Sequence, residues 1–150
     1  VREKMAKKFL GIHVIAELHG CNPEILNNPE LITQILLKAA KDAKVTVVDY
    51  ITKKFEPQGV SAVVVISESH ITIHTWPEIE YAALDFYTCG EEDPEKAVRE
   101  IAKDLGTREM TIFKATRGNI NKIKKILKQK RENGEDGKNE TRAKQIQVLL

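Results

Sequence analysis

Four β-rich stretches lie between Val45 and Thr88 with no room for a helix between them, and this spacing limits the folds open to the chain. Residues 45–51 and 60–66 are dense in β-branched side chains, and Pro57 and Gly59 mark the turn that joins them. Residues 70–76 follow as His-Ile-Thr-Ile-His-Thr-Trp, the alternation of a strand with one buried face. A last run, residues 81–88, comes after Pro77 to Glu80 and ends at Gly90. Parallel neighbours need a crossover of about a dozen or more residues, and these connections are shorter. The strands are therefore expected to pair antiparallel.

Two helices flank this block with one shared start signal. In Asn28-Pro29-Glu30 and Asp93-Pro94-Glu95, a side chain caps the free N–H groups, proline takes the first helical position, and an acid sits at the positive end of the helix dipole. Leu31, Ile32, Ile35, Leu36 and Ala39 then repeat at helical spacing to about Ala43. Ala97, Val98, Ile101, Ala102 and Leu105 do the same up to Gly106. Upstream, residues 10–18 read as a strand, and Asn22-Pro23 punctuates the chain after it. Downstream come a strand over 108–115 and a basic helix over 119–130, with Ile120, Ile123, Ile126 and Leu127 on one side. The pattern specifies an α+β fold, a largely antiparallel sheet with helices packed on one face as a two-layer sandwich. Val60, Ala62, Val64 and Ile66 alternate with Ser61, Val63 and Val65, and both sets are mostly apolar. The face without helices is expected to pair with a second copy.

At 150 residues and 41% hydrophobic content the chain can bury a core without disulfides or a structural metal, which excludes disordered, collagen-like and disulfide-scaffold classes. Its longest apolar run, residues 62–66, falls far short of the roughly 20 residues of a membrane span. Residues 1–8 are basic and 9–18 fairly apolar, as in an export signal, but His13 and Glu17 interrupt that stretch and no small-residue cleavage site follows. A cytoplasmic protein with Cys21 and Cys89 as thiols is expected. Val1 in first place points to a start at Met5 or to trimming. Residues 131–144 are polar and contain glycine, the composition of a flexible tail.

Chemistry-bearing residues concentrate in Ser67-Glu68-Ser69-His70-Ile71-Thr72-Ile73-His74-Thr75-Trp76-Pro77-Glu78, closed by Asp85-Phe86-Tyr87-Thr88-Cys89-Gly90. Two of the four histidines, one of the two cysteines and the single tryptophan lie there. Each alone has a plainer role: a hydrogen-bonded histidine, a small buried thiol, a polar turn. Together they allow three chemistries. A metal could be held by His70, His74 and Cys89, since alternate strand residues share a face, although neither a CxxC pair nor an HExxH motif is present. Cys89 could act as a nucleophile with a histidine base. A serine hydroxyl could attack its own backbone.

The run from Ser67 to Glu78, with Gly59-Val60-Ser61 before it and Thr88-Cys89-Gly90 after it, resembles the pyruvoyl-dependent S-adenosylmethionine decarboxylases of bacteria and archaea. The resemblance spans roughly Gly11 to Arg117. It implies self-cleavage between Glu68 and Ser69, in which Ser69 Oγ attacks the Glu68 carbonyl, the amide becomes an ester, and β-elimination and hydrolysis leave a pyruvoyl group. By the same resemblance, His74 takes the Cα proton in the elimination and Ser61 hydrogen-bonds the acyl-shift intermediate. The pyruvoyl carbonyl forms a Schiff base with the substrate and acts as electron sink, and Cys89 returns a proton to the decarboxylated carbon. Phe55 matches the aromatic group that stacks on adenine, and Glu78 the carboxylate that holds the ribose hydroxyls. No metal is implied.

Carried through, the resemblance implies a decarboxylase that makes the aminopropyl donor for spermidine. Residues 1–131 form one self-processing domain with a tail at 132–150, cut into a β chain of 1–68 and an α chain of 69–150, and two αβ units associate through their sheets. On a straight strand Ser69 and His74 have opposite parity, so a bend between them is expected. A small residue is expected where Glu80 stands, so Glu80 is a candidate for altering entry at a pocket rim. Two alternatives accompany this reading. Pyruvoyl-dependent arginine decarboxylase is one, since a carboxylate also binds guanidinium. Nucleic-acid binding is the other, through Lys114, Arg117, Lys122, Lys124, Lys125, Lys128, Lys130 and Arg131, although a solvated helix face is the commoner use of such a run and no aromatics are interleaved for stacking.

Overall fold

The structure, a computed structural model, describes residues 7–89 and 93–134. The expectations for Gly90, for the start of the chain and for the tail beyond residue 134 fall outside the described residues. In chain order the elements are β1 (Phe9–His19), α1 (Pro23–Leu26), α2 (Pro29–Asp42), β2 (Val47–Lys54), β3 (Val60–Ile66), β4 (Ser69–Trp76), a 3-10 turn (Pro77–Ile79), β5 (Tyr81–Thr88), α3 (Pro94–Asp104), β6 (Glu109–Asn119) and α4 (Ile120–Glu132). Two compact units are present: residues 12–115, and residues 7–11 with 116–134.

The helix starts obey the cap-proline-acid signature. Asn28 Oδ1 accepts from the Leu31 N–H at 3.1 Å and Asp93 Oδ1 from the Glu95 N–H at 2.9 Å. A third copy, Asn22-Pro23-Glu24, is a helix start and not only the punctuation expected there: it begins the short α1, where Asn22 Oδ1 accepts from the Glu24 N–H at 2.9 Å. Gly106 closes α3 at φ 71°, a left-handed position that favours glycine.

The six strands form one sheet in the order β2-β3-β4-β5-β1-β6. The expected meander over the middle strands is present, with β2, β3, β4 and β5 pairing antiparallel in sequence. β1 adds antiparallel to β5, and β6 lies beside it. Two strands depart from expectation. β2 starts and ends later than residues 45–51, because the Val45 N–H still bonds the Ala40 carbonyl at the helix exit while pairing with β3 continues to Lys54 opposite Val60. β6 runs past Ala115 to Asn119, whose side chain caps α4.

Alternation divides the sheet into two unlike faces. Val14, Ala16 and Leu18, Val60, Ala62, Val64 and Ile66, Ile71 and Ile73, and Ala82, Leu84 and Phe86 are buried beneath Ile32, Leu36 and Ala40 of α2, Val98 and Ile101 of α3, and Leu105 at the α3 C-cap. Full burial of each large aliphatic or aromatic side chain contributes roughly 1.5–3 kcal/mol. The opposite face is not covered by helices of this unit. It carries Ile15, Ile51, Val65 and Trp76 at 39%, 70%, 42% and 41% exposure, together with most of the ionisable side chains discussed below. Among the described residues, no helix is long and apolar enough to cross a membrane. Both cysteines are free thiols; Cys21 is buried against Thr107, and burial raises its pKa.

Candidate active site

The two-residue turn between β3 and β4 consists of Ser67 and Glu68, closed by pairing of Ile66 with Ser69. Its Ser67 N–H donates to the Thr46 carbonyl at 2.9 Å. Glu68 is left-handed at φ 75°, a conformation that costs a non-glycine residue roughly 1–2 kcal/mol. Ser69, the first residue of β4, donates its hydroxyl to the carbonyl oxygen of Glu68, in the peptide bond that precedes it. The Cys89 thiol, just beyond β5, donates to the same oxygen at 3.6 Å. One carbonyl, of the one strained residue in this turn, thus receives both a hydroxyl and a thiol.

The other expected site residues lie at the opposite end of the sheet. Ser61 and His74 are paired across β3 and β4, with Ser61 Oγ 2.7 Å from His74 Nδ1. Phe55 follows β2 there, with its N–H on the Gly59 carbonyl at 2.8 Å and its side chain 45% exposed. Glu78 is exposed on the 3-10 turn after β4. Thr75 secures this end: its buried hydroxyl donates to the Leu26 carbonyl at 2.7 Å and accepts from the Val60 N–H at 2.9 Å. Trp76 stacks on Tyr81 at 5.3 Å, and the Tyr81 hydroxyl donates to Glu17 Oε2 at 2.6 Å. Burial, then the hydrogen bond and charge of Glu17, push the Tyr81 pKa up to about 12.

The bend expected between Ser69 and His74 does not exist. β4 pairs residue for residue with β3 from Ser69 to His74, so its parity is preserved throughout. Ser69 therefore shares the parity of buried Ile71 and Ile73, while His74 stands on the uncovered face. Five residues of strand separate them, about 16 Å at the usual rise. The seven expected residues divide into Glu68, Ser69 and Cys89 at one end and Phe55, Ser61, His74 and Glu78 at the other. The metal set of His70, His74 and Cys89 fails for the same reason: His74 is four residues from His70 and bonded to Ser61.

Glu80 is left-handed at φ 55° and closes the 3-10 turn, its carbonyl accepting from the Cys21 N–H at 3.0 Å. This explains why a small residue is expected there: glycine adopts this conformation without strain. Asp85 is the residue that sequence reasoning left without a role. It accepts hydrogen bonds from Thr72 and lies 2.6 Å from His13 and 2.7 Å from His70. Burial works to raise its pKa, but hydrogen bonds from Thr72, His13 and His70, with the charge of His70, hold it below the usual carboxylate range. The signal available in sequence was shared face parity, because His13, His70 and Asp85 all alternate with buried residues. A concavity of about 610 Å³ beside α1 and α2, lined by Pro23, Asn27 and Gln58 among others, contains none of the expected site residues.

Residues 12–118 match the family model described as S-adenosylmethionine decarboxylase. The chain is similar to the S-adenosylmethionine decarboxylase proenzyme of Caldicellulosiruptor saccharolyticus, 54% identical over 110 residues that cover 73% of this chain and 89% of that one. Its identity to the proenzyme of the same name from Thermoanaerobacter sp. (strain X514) is 48% over 119 residues, covering 79% and 96%. Among solved structures, the adenosylmethionine decarboxylase of Aquifex aeolicus superposes with a TM-score of 0.68 at 37% identity, over 75% of this chain and 93% of that one. The Trypanosoma brucei AdoMetDC-delta26 monomer, at 14% identity and TM-score 0.53 over 67% of this chain and 44% of that one, shares the fold.

Proposed function

The chain belongs to the S-adenosylmethionine decarboxylase family, and from that premise we propose that it decarboxylates S-adenosylmethionine with a pyruvoyl group made from its own Ser69. The observation that carries the reading is the Ser69 hydroxyl resting on the carbonyl of the peptide bond to be cut, beside a left-handed Glu68. Addition of Oγ to that carbonyl carbon and departure of the Ser69 nitrogen convert the amide to an ester. Loss of the Ser69 Cα proton then expels the Glu68 carboxylate, and water replaces the nitrogen as ammonia. Cutting the turn also releases the strain held at Glu68. The thiol of Cys89 supplies a hydrogen bond to the oxygen on which negative charge develops in the first step.

These residues suit a pyruvoyl group. Ser69 heads β4, between β3 and β5, so after scission the new terminus stays held by its neighbours. Once formed, the group supplies an electron sink for loss of carbon dioxide, the role pyridoxal fills in other enzymes. The Cys89 thiol lies at the same end of the sheet, on the Glu68 carbonyl, where its S–H can return a proton to carbon.

Separation of the two residue groups supports a paired enzyme. Two copies paired about a two-fold axis, with their sheets running in opposite directions, would bring the end of one that holds Phe55, Ser61, His74 and Glu78 to the end of the other that holds Ser69 and Cys89. Ile15, Ile51, Val65 and Trp76 provide apolar surface for that contact. In this reading the enzyme is a cytoplasmic (αβ)2 assembly of β chains 1–68 and α chains 69–150, and its product is the aminopropyl donor for spermidine. The arginine alternative is disfavoured by the identity to proenzymes named for S-adenosylmethionine.

Intact mass under denaturing conditions tests the proposal, with Ser69→Ala in parallel. Two fragments split after Glu68, the larger lacking a free amine, are expected for the unaltered chain and none for the variant. A single chain near 17.0 kDa after prolonged incubation would overturn it. Turnover of S-adenosylmethionine but not arginine is then expected.

A further inference from the structure

Three side chains that the proposed chemistry leaves unused converge on the uncovered face. His13 on β1, His70 on β4 and Asp85 on β5 stand on three adjacent strands. Both imidazole Nε2 atoms approach the same carboxylate oxygen, Asp85 Oδ2, at 2.6 Å and 2.7 Å. Strand register produces this convergence. His13 and His70 lie opposite Tyr87 from either side, so the two rings flank β5 at one level, and Asp85 is two residues along on the same face. The imidazole centroids are 5.7 Å apart and nearly perpendicular, with the Tyr87 ring 5.3 Å from His13 and 6.1 Å from His70.

We propose that His13, His70 and Asp85 form a binding site for one divalent first-row transition-metal ion, such as zinc, with at least one coordination position left open. One candidate donor atom from each residue lies within 4.8 Å of the others. An ion bound at about 2.0–2.1 Å from each would hold tetrahedral ligands roughly 3.3 Å apart, so each ring would withdraw from Asp85 Oδ2 by less than about 1 Å, and the two ring nitrogens, which lie within 4.8 Å of each other, would close by up to about 1.5 Å. Two neutral nitrogens and one carboxylate suit zinc or iron(II), whereas magnesium and calcium prefer all-oxygen sets. The outer support that orients a metal ligand is already built. Thr72 donates to Asp85 Oδ1, which leaves Oδ2 for the ion, and Tyr87 packs against both rings. His13 is only 14% exposed at its side chain, so its ring is held by packing. The ligands come from a single chain, so a second copy supplies none of them, and the site does not rest on the decarboxylase reading.

Untagged protein stripped with chelator and titrated with zinc by calorimetry tests this. Binding of one ion per chain with a Kd of about 10 μM or tighter is expected, weakened by at least about 100-fold in both His13→Ala and Asp85→Asn and retained in Cys89→Ser. Weaker binding, or binding indifferent to His13→Ala and Asp85→Asn, overturns the proposal, as does loss with Cys89→Ser. Should the variants not fold, X-ray absorption at the zinc edge of the unaltered protein decides. Two imidazole nitrogens without sulfur are expected, and sulfur ligation or fewer imidazoles would refute the site.

Discussion

Coexpression of Ser69→Ala and His74→Ala chains tests the division of the site between two copies. The Ser69→Ala chain has no hydroxyl to attack Glu68, and the His74→Ala chain has no imidazole to take the proton, so neither alone is expected to cleave. Within one chain the two residues are five strand positions apart, about 16 Å, and on opposite faces of a strand that pairs without interruption. Proton transfer requires approach to about 3 Å, or one bridging water, so His74 cannot serve the Ser69 of its own chain. If it serves the partner's, a mixed pair contains one competent site, built from the Ser69 of the His74→Ala chain and the His74 of the Ser69→Ala chain. Random pairing of equal amounts makes half the dimers mixed, with one cleavable chain in two, so about a quarter of all chains should be cut. Intact mass after coexpression measures the fraction, and the α fragment should carry the His74→Ala mass. Absence of fragments from the mixture would refute the shared site, and full cleavage of the His74→Ala chain alone would remove His74 from processing.

Three other outcomes follow from the packing. Tyr81 has a pKa raised to about 12 by burial and by Glu17, so its contribution to stability is complete below about pH 10 and lost as pH rises through 12. Ultraviolet titration should show a tyrosine ionising near pH 12 that Glu17→Gln moves to lower pH; no tyrosine ionising that late, or one that Glu17→Gln leaves in place, would contradict this. Phe86→Ala removes the largest fully buried side chain between the sheet and its helices and should cost about 3–5 kcal/mol in urea unfolding. Thr75→Val leaves the Leu26 carbonyl and the Val60 N–H without their hydroxyl partner, and should lower stability by about 1–3 kcal/mol in the same assay.

Local order in the sequence determined much of this protein. Asn28-Pro29-Glu30 and Asp93-Pro94-Glu95 specified two helices because capping, proline geometry and the helix dipole act within one turn. The same rule covered α1, where Asn22-Pro23-Glu24 was present but the helix is only four residues long and shows no apolar periodicity. Alternation marked the meander and its faces, since strand side chains alternate with period two. The run around Ser69 and Cys89 carries the resemblance from which the proposed chemistry is drawn. Tertiary structure alone decided where those residues meet. Insertion of β1 between β5 and β6 is a long-range choice, governed by total burial rather than by any local signal. It brings His13 to Asp85 across 72 residues of chain. The straightness of β4 likewise depends on its unbroken pairing with both neighbours, and that pairing sends Ser69 and His74 to opposite ends and opposite faces of one strand. Residue identities depend on neighbours in sequence, whereas the assembly of a site depends on sheet register, which only the packed chain sets.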